Sequence, residues 1–258
     1  MARSKKAGNK AANPRIEIEP LINDQQFRDA VDLQKSIWGF DEIELLPVRL
    51  FVTAVKVGGQ AFGAYADGRM IAFCLAIPGL KQGARPYLHS HMLGVLPAYR
   101  DFGIGRRLKL RQREDAMARG IDLIEWTFDP LEIKNAYFNV ERLGAIVRRF
   151  VRNQYGITSS DLHGGLPTDR CTAEWWVRSE RVRNVVNGEP FENPQIAERI
   201  RLTSEIAAIR KKDPARAREI QSQIADSLEA AFAQGLAIVG VDRTPEWGTY
   251  LLGAYRED

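Results

Sequence analysis

Two histidines, His89 and His91, stand two residues apart in the stretch LHSHMLGVL, residues 88–96. In an extended strand that spacing puts both imidazoles on one face. An imidazole with an unperturbed pKa of about 6.5 is able to accept a proton at neutral pH. A few residues on, the chain reads Arg100-Asp101-Phe102-Gly103-Ile104-Gly105-Arg106 and turns into a basic helical pattern. Glycines where a helix begins leave its first N–H groups uncovered, at the positive end of the helix dipole. An anion can approach there, and Arg100 adds a bidentate donor from the rim. The chemistry implied is the binding of a phosphate or pyrophosphate, although a bare glycine pair is equally a tight turn. A Walker A loop is excluded, because Arg106–Arg107 stands where Gly-Lys-Ser/Thr is needed. A dinucleotide fingerprint is excluded because its third glycine is replaced by Leu108.

The elements that must hold these groups follow from periodicity. Residues 15–21 alternate as a strand, and 23–40 and 46–59 read as helices. Residues 60–80 form two strands around Ala-Asp-Gly-Arg, and 86–96 is the strand that carries the histidines. A helix then runs to about Arg119, followed by a buried strand at 121–130, a short helix at 132–144, and strands at 145–156 and 171–179. Strand, helix and strand over 86–128 predict one parallel pair in an otherwise antiparallel sheet. Further on, 194–213 and 214–235 read as two helices and 236–255 as two strands turning near Pro245. The expected fold class is α/β (α+β), a mixed sheet with one central parallel pair flanked by helices. The expected organisation is a basic disordered tail over 1–14, one domain over 15–180, and an extension over 181–258 packed on that domain.

Composition narrows the classes. Hydrophobic residues make up 45% and charged residues 27% of 258, as in a soluble globular protein. The net charge of +4 comes from Arg3, Lys5, Lys6 and Lys10; the remainder holds 33 basic against 33 acidic residues. A nucleic-acid-binding face is therefore not expected, and such binding would rest on the tail alone. No apolar leader or membrane-spanning run is read, and Cys74 and Cys171 are too few and too far apart for a disulfide framework or a CxxC metal site. A cytoplasmic protein with no metal is expected.

The stretch VLPAYRDFGIG, with Val95, Pro97, Arg100, Gly103 and Gly105, resembles the signature of the GNAT superfamily of acyl-CoA-dependent N-acyltransferases. The later NAYFNVERLGA, with Ala136, Arg142, Leu143 and Gly144, fits the same family, with Ala145 in place of its aromatic residue. The resemblance covers roughly residues 15–180. It implies acetyl-CoA, or another acyl-CoA, as co-substrate and an amine as acceptor. It implies that main-chain N–H groups of Phe102, Gly103, Ile104, Gly105 and Arg106 hold the CoA diphosphate, with Arg100 beside them. The strand edge at Leu93, Gly94 and Val95 would pair with pantetheine as an added strand does. Asn135 and Phe138 on the short helix would complete the cofactor site, and the Arg106 side chain is the candidate for the nucleotide's 3′-phosphate.

In several enzymes of that family a glutamate acts as general base eleven residues before the motif's Arg/Gln. Here that position is His89, with His91 beside it. The family's tyrosine acid falls on Val140, which has no proton to give; Tyr137 is the nearest phenol, on another side of the helix. Asp169 and Arg170, before the last strand of the family core, are the candidates for holding the acceptor, and His163 lies in the preceding loop. Two readings stand, an N-acetyltransferase with His89 as base and a non-catalytic acyl-CoA-binding module. For the extension three roles are open: lengthening the sheet, covering an edge, or making a dimer contact.

Overall fold

The structure, a computed structural model, describes residues 15–156 and 166–255. Its elements in chain order are β1 (Ile16–Pro20), α1 (Asp24–Trp38), α2 (Val48–Lys56), β2 (Gln60–Ala66), β3 (Arg69–Lys81), β4 (Arg85–Val95), α3 (Ile104–Ala118), β5 (Leu123–Phe128), α4 (Ile133–Tyr137), β6 (Ile146–Val151), β7 (Arg170–Trp176), α5 (Glu180–Asn187), β8 (Ile196–Thr203), α6 (Ile206–Lys212), α7 (Pro214–Ala233), β9 (Leu236–Arg243) and β10 (Trp247–Ala254). The tail over 1–14 and His163 lie outside the described residues.

Ten strands form one sheet in the order β1-β2-β3-β4-β5-β7-β6-β9-β10-β8. Every neighbouring pair is antiparallel except β4–β5, as the strand–helix–strand reading predicts. Alternation along β3 assigns the two faces. Phe73 and Leu75 pack under Phe27 and Phe51 of α1 and α2. Cys74 and Ala72 pack under Ile104 and Leu108 of α3. A third cluster joins Trp126 and Trp175 of the central strands to α4, α7 and Tyr250 of β10.

The extension departs from the reading in two places. Residues 196–203 are the strand β8, not the first half of a helix; Ile200 and Leu202 are buried while Arg199 and Arg201 are exposed, a period of two. The helix α5, capped by Ser179, was also not anticipated. Of the three roles left open for the extension, lengthening the sheet is the one realised. β9 pairs with β6 at Val147↔Ile238, and β10 and β8 follow outward. Gly248 on β10 lets Ile133 of α4 approach to where a Cβ would sit 2.1 Å from Ile133 Cγ1. Arg181 of α5, 2% exposed, donates to Gly144 O, Asn193 Oδ1 and Val239 O, so each nitrogen of its guanidinium donates a hydrogen bond across the seam.

One ion pair ties the extension to the end of β5. Arg210 of α6 reaches Asp129 at 2.7 Å and Glu132 at 3.0 Å, and its side chain is 7% exposed. Removing one partner of such a buried pair leaves the other charge uncompensated, at a cost of about 3–5 kcal/mol. Arg210→Ala is therefore expected to lower Tm by roughly 10 °C in a single calorimetric transition. An early separate transition, or an unchanged Tm, would mean that the extension does not share the core's cooperativity.

Candidate functional site

β4 runs from Arg85 to Val95 and β5 from Leu123 to Phe128, yet their parallel ladder holds only Leu88↔Ile124 and His89↔Glu125. Beyond those pairs the strands part. A bulge contributes to the divergence: β3 and β4 shift register between Leu75 and Ala76, which face Met92 and Ser90, so His91 is the extra residue. Six residues of β4 thus run on beside a gap in the middle of the sheet, an edge whose peptide groups β5 does not pair.

The gap opens toward the glycine turn. After Val95 a short 3-10 turn over Pro97–Tyr99 leads to Asp101 and Gly103, both at positive φ, 68° and 72°. Gly103 is the N-cap of α3 and offers no side-chain cap, so the first amides of a 15-residue helix face outward uncovered. A Cβ added at Gly103 would meet nothing within 4 Å, and one at Gly105 only Leu93 Cδ2 at 3.6 Å. Phe102 is exposed beside the turn. Arg100 Nε donates to Val95 O at 3.3 Å, which closes the turn back on β4. The guanidinium of Arg106 donates to Val186 O at 2.7 Å, on α5, and that of Arg107 to Ile16 O. The Arg106 side chain thus braces α3 against α5, while its main chain belongs to the turn.

His89 and His91 share a face, as their spacing predicts, with ring centroids 5.9 Å apart. It is the face opposite to α3. Burial, then His91, Lys109, Lys81 and Arg149, push the His89 pKa down to about 4; partial desolvation lowers His91 too. Across the last parallel pair, Glu125 is buried and salt-bridged to Lys81 at 2.7 Å and to Arg149. Glu174 of β7, also buried, takes Arg148 and Arg149. Lys81, Glu125, Arg148, Arg149 and Glu174 line a cavity of about 680 Å³ together with Tyr87 and Trp176, and His89 reaches its edge only as the strand partner of Glu125. None of the five charged residues stands out in the sequence. Their one legible signal is that Glu125 and Glu174 are the single acids of β5 and β7.

The other face of the gap carries Lys109. Its ammonium, on a residue 3% exposed, donates to Ser90 Oγ at 2.8 Å and sits 3.6 Å from the centroid of the Trp126 ring. Burial lowers its pKa to about 7. Ser90 Oγ donates onward to Gln112 Oε1 at 3.1 Å, while Gln112 Nε2 is buried with no partner among the described residues. Trp126 Nε1 donates to Asn139 Oδ1 at 3.2 Å. From sequence Lys109 belongs to a basic run read as a solvated face. The missed signal is its place on the stripe Gly105–Lys109–Gln112–Ala116, at helical spacing on the inner side of α3.

The remaining candidates are dispersed. Tyr137 is half-buried with Arg243 of β9 over its ring at 5.3 Å, on the side of the extension. Val140 is fully buried in the core. Asn135 is exposed, and Phe138 packs against the core at the start of a π-helical turn, Phe138–Arg142. Asp169 is 5% exposed and accepts from Asn153 N at 2.9 Å, which fastens the approach to β7. Arg170 lies over the Tyr155 ring at 5.4 Å, and Tyr155 OH meets Thr127 Oγ1 at 2.9 Å. Cys74 and Cys171 are free and buried; burial pushes the Cys74 thiol up to about 12 and raises Cys171 as well.

Comparison with known proteins places this geometry. The model of the acetyltransferase (GNAT) family matches residues 27–144, which span α1 to the turn after α4 and include both histidines and the glycine turn. Among solved structures, an N-acetyltransferase from Staphylococcus aureus Mu50 is 12% identical with a TM-score of 0.52, over 64% of this chain and 99% of that one. NAA60 of Arabidopsis thaliana, in complex with a bisubstrate analogue, is 16% identical with a TM-score of 0.51, over 63% and 98%. The yncA protein of Salmonella typhimurium, solved with its cofactor acetyl-CoA, is 14% identical with a TM-score of 0.51, over 63% and 94%. At these identities the structural likeness speaks for the fold. No curated protein sequence matches the chain. The family match covers the parted strands and their glycine turn, and it puts residues 27–144 of the chain in the acetyltransferase (GNAT) family.

Proposed function

We propose that the chain moves an acyl group, acetyl in the simplest case, from acyl-CoA to an amine held in the cavity beside His89. The observation that carries this reading is the interrupted β4–β5 ladder opening onto an unobstructed helix start. The residues present fit the co-substrate. The amides of residues 102–106 suit its diphosphate, and the free edge of β4 at Leu93, Gly94 and Val95 suits the amides of its arm. Acyl-CoA supplies the activated thioester. The protein supplies position, a neutral imidazole, and a face lined with carboxylates for a cationic acceptor.

His89 is the residue proposed to take the amine's proton, directly or through water. With its pKa near 4 it is neutral at physiological pH and free to accept, though weakly basic. Glu125 and Glu174 are the groups proposed to draw an ammonium into the cavity, in exchange for Lys81 or Arg149. We place the reaction in the cytoplasm, where buried free thiols such as Cys74 and Cys171 stay reduced. No helix among the described residues is long and apolar enough to cross a membrane. The second reading, an acyl-CoA-binding module without turnover, is favoured by one observation: Val140 fills the family's acid position with an aliphatic group.

Gly105→Asp tests the cradle. The residue lies in the first turn of α3, where a carboxylate suits the dipole and a Cβ has room, so Tm is expected to hold or rise. The same carboxylate occupies and repels the diphosphate position. Calorimetry is expected to show acetyl-CoA affinity reduced at least about tenfold relative to wild type. Equal affinity would remove the helix start from the cofactor site.

His89→Gln tests the base. It is expected to cut kcat by roughly 10²–10⁴-fold and leave acetyl-CoA binding within about threefold. Because the deprotonated imidazole is the active form and its pKa is lowered, this group's contribution to kcat is lost only as pH falls through about 4. A limb near 6.5 that disappears in the variant would mean that the imidazole is not desolvated as described. Full turnover by the variant would remove His89 from the mechanism.

A further inference from the structure

A buried ammonium normally has a carboxylate beside it, because burial of an uncompensated charge is costly. Among the described residues Lys109 has none: its partners are Ser90 Oγ at 2.8 Å and the face of Trp126. An ammonium carries three N–H donors, and one hydroxyl and one π face leave a donor without an oxygen or sulfur acceptor. The two neighbours are informative by their register. The last parallel pair is His89↔Glu125, so Ser90 and Trp126 are the first residue on each strand past the point of parting. Lys109 therefore bridges the floor of the gap, from the α3 side.

The length of the co-substrate's arm brings its reactive end to the same level. From the diphosphate oxygen to the sulfur is about twelve bonds, roughly four residues of extended chain or about 14 Å. Four residues back along β4 from Val95, next to the glycine turn, is His91, and Ser90 follows. On that arithmetic, and resting on the acyl-CoA reading given above, the structure assigns Lys109 as the proton donor to the departing CoA sulfur, in place of the acid that Val140 cannot supply. The amine nitrogen forms the new C–N bond, the C–S bond breaks, and its electron pair goes to sulfur, which takes a proton from Lys109 Nζ. The amine's surplus proton leaves on the opposite face, to His89 and water, and water restores the ammonium after CoA departs.

The surroundings favour such a proton being mobile. Burial lowers the Lys109 pKa to about 7, so both protonation states are accessible at cellular pH. The charged and titratable groups around it are Cys74 on β3, with its thiol pushed up to about 12, His89 on β4 behind the strand, and Arg106 and Arg113 one turn away on α3. The two arginines are engaged with carbonyls of Val186 and Val177. Glu125 points to the other face. Of these only Cys74 acts to raise the Lys109 pKa, and its own thiol is neutral at pH 7, so a thiolate at the floor of the gap would be the first anionic partner of Lys109 among the described residues.

The test compares wild type with Lys109→Met, and uses CoA, acetyl-CoA and desulfo-CoA, which lacks the sulfur. Acetyl-CoA and desulfo-CoA are expected to bind both proteins within about threefold, because the diphosphate and arm contacts are untouched. The thiol of CoA bound to wild type is expected to titrate at least about one pH unit below that in Lys109→Met, read by thiolate absorbance. Lys109→Arg, which keeps the charge, is expected to retain the lowered thiol pKa. If wild type binds none of the three, the cofactor reading fails and the assignment falls with it. If all bind but the thiol titrates alike in wild type and Lys109→Met, the role of Lys109 alone is overturned. Should Lys109→Met not fold, wild type labelled with ¹³Cε-lysine decides the same point: CoA must raise the Lys109 midpoint and desulfo-CoA must not.

Discussion

The site exists because two strands in the middle of a ten-stranded sheet stop pairing. β5 remains bonded to β7 from Leu123 to Phe128 while it leaves β4 after one rung past Leu88. An unpaired run of peptide groups inside a sheet is costly unless something supplies hydrogen bonds. Here the run ends at a helix start whose own amides are also unsatisfied. Two separate deficits, of strand partners and of helix caps, are contiguous. A single extended ligand with amide groups along its arm and a diphosphate at its end satisfies both.

Strand alternation then divides the labour. Because successive residues point to opposite faces, the parting point presents His89 and Glu125 on one side and Ser90 and Trp126 on the other. The bulge at His91 adds a second imidazole to the first side without disturbing Ser90 on the second. The acceptor cavity and its charged network lie on the histidine face, and Lys109 lies on the α3 face. An acyl group lodged between them would meet its nucleophile from one side and lose its leaving group toward the other. The separation also keeps the cavity's cations from competing for the sulfur.

Much of the frame was legible in the sequence. The parallel pair follows from strand, helix and strand in one stretch, and the cradle from Gly103 and Gly105 beside Arg100. The shared face of the histidines follows from their spacing. What was not legible depends on partners brought from a distance. Arg106 is bonded to the Val186 carbonyl of α5, eighty residues on. Asp169 is bonded to Asn153 N. Tyr137 lies against Arg243 of β9, a strand the minimal fold lacks. β8 was missed because its charged outer residues, Arg199 and Arg201, also suit a helix, and only pairing with β10 decides between the two periods. Lys109 was hidden by its neighbours: in a run of five basic residues, which one turns inward is set by the helix phase.

The charges around His89 make its basicity conditional on what occupies the cavity. Lys81 and Arg149 help to hold the imidazole pKa down, and both are tied to Glu125. An acceptor ammonium that binds Glu125 displaces one cation with another, and leaves the field at His89 little changed until the amine gives up its proton. When that first proton leaves to water the local positive charge falls by one, and the imidazole becomes a better base toward the second proton, released on attack. An acceptor with a carboxylate acts sooner, since it draws Lys81 or Arg149 to itself and relieves His89 directly. Either way the cation cluster links acceptor binding to proton transfer across only a few ångströms. On the proposed reading, His89 would therefore gain basicity as the cavity fills.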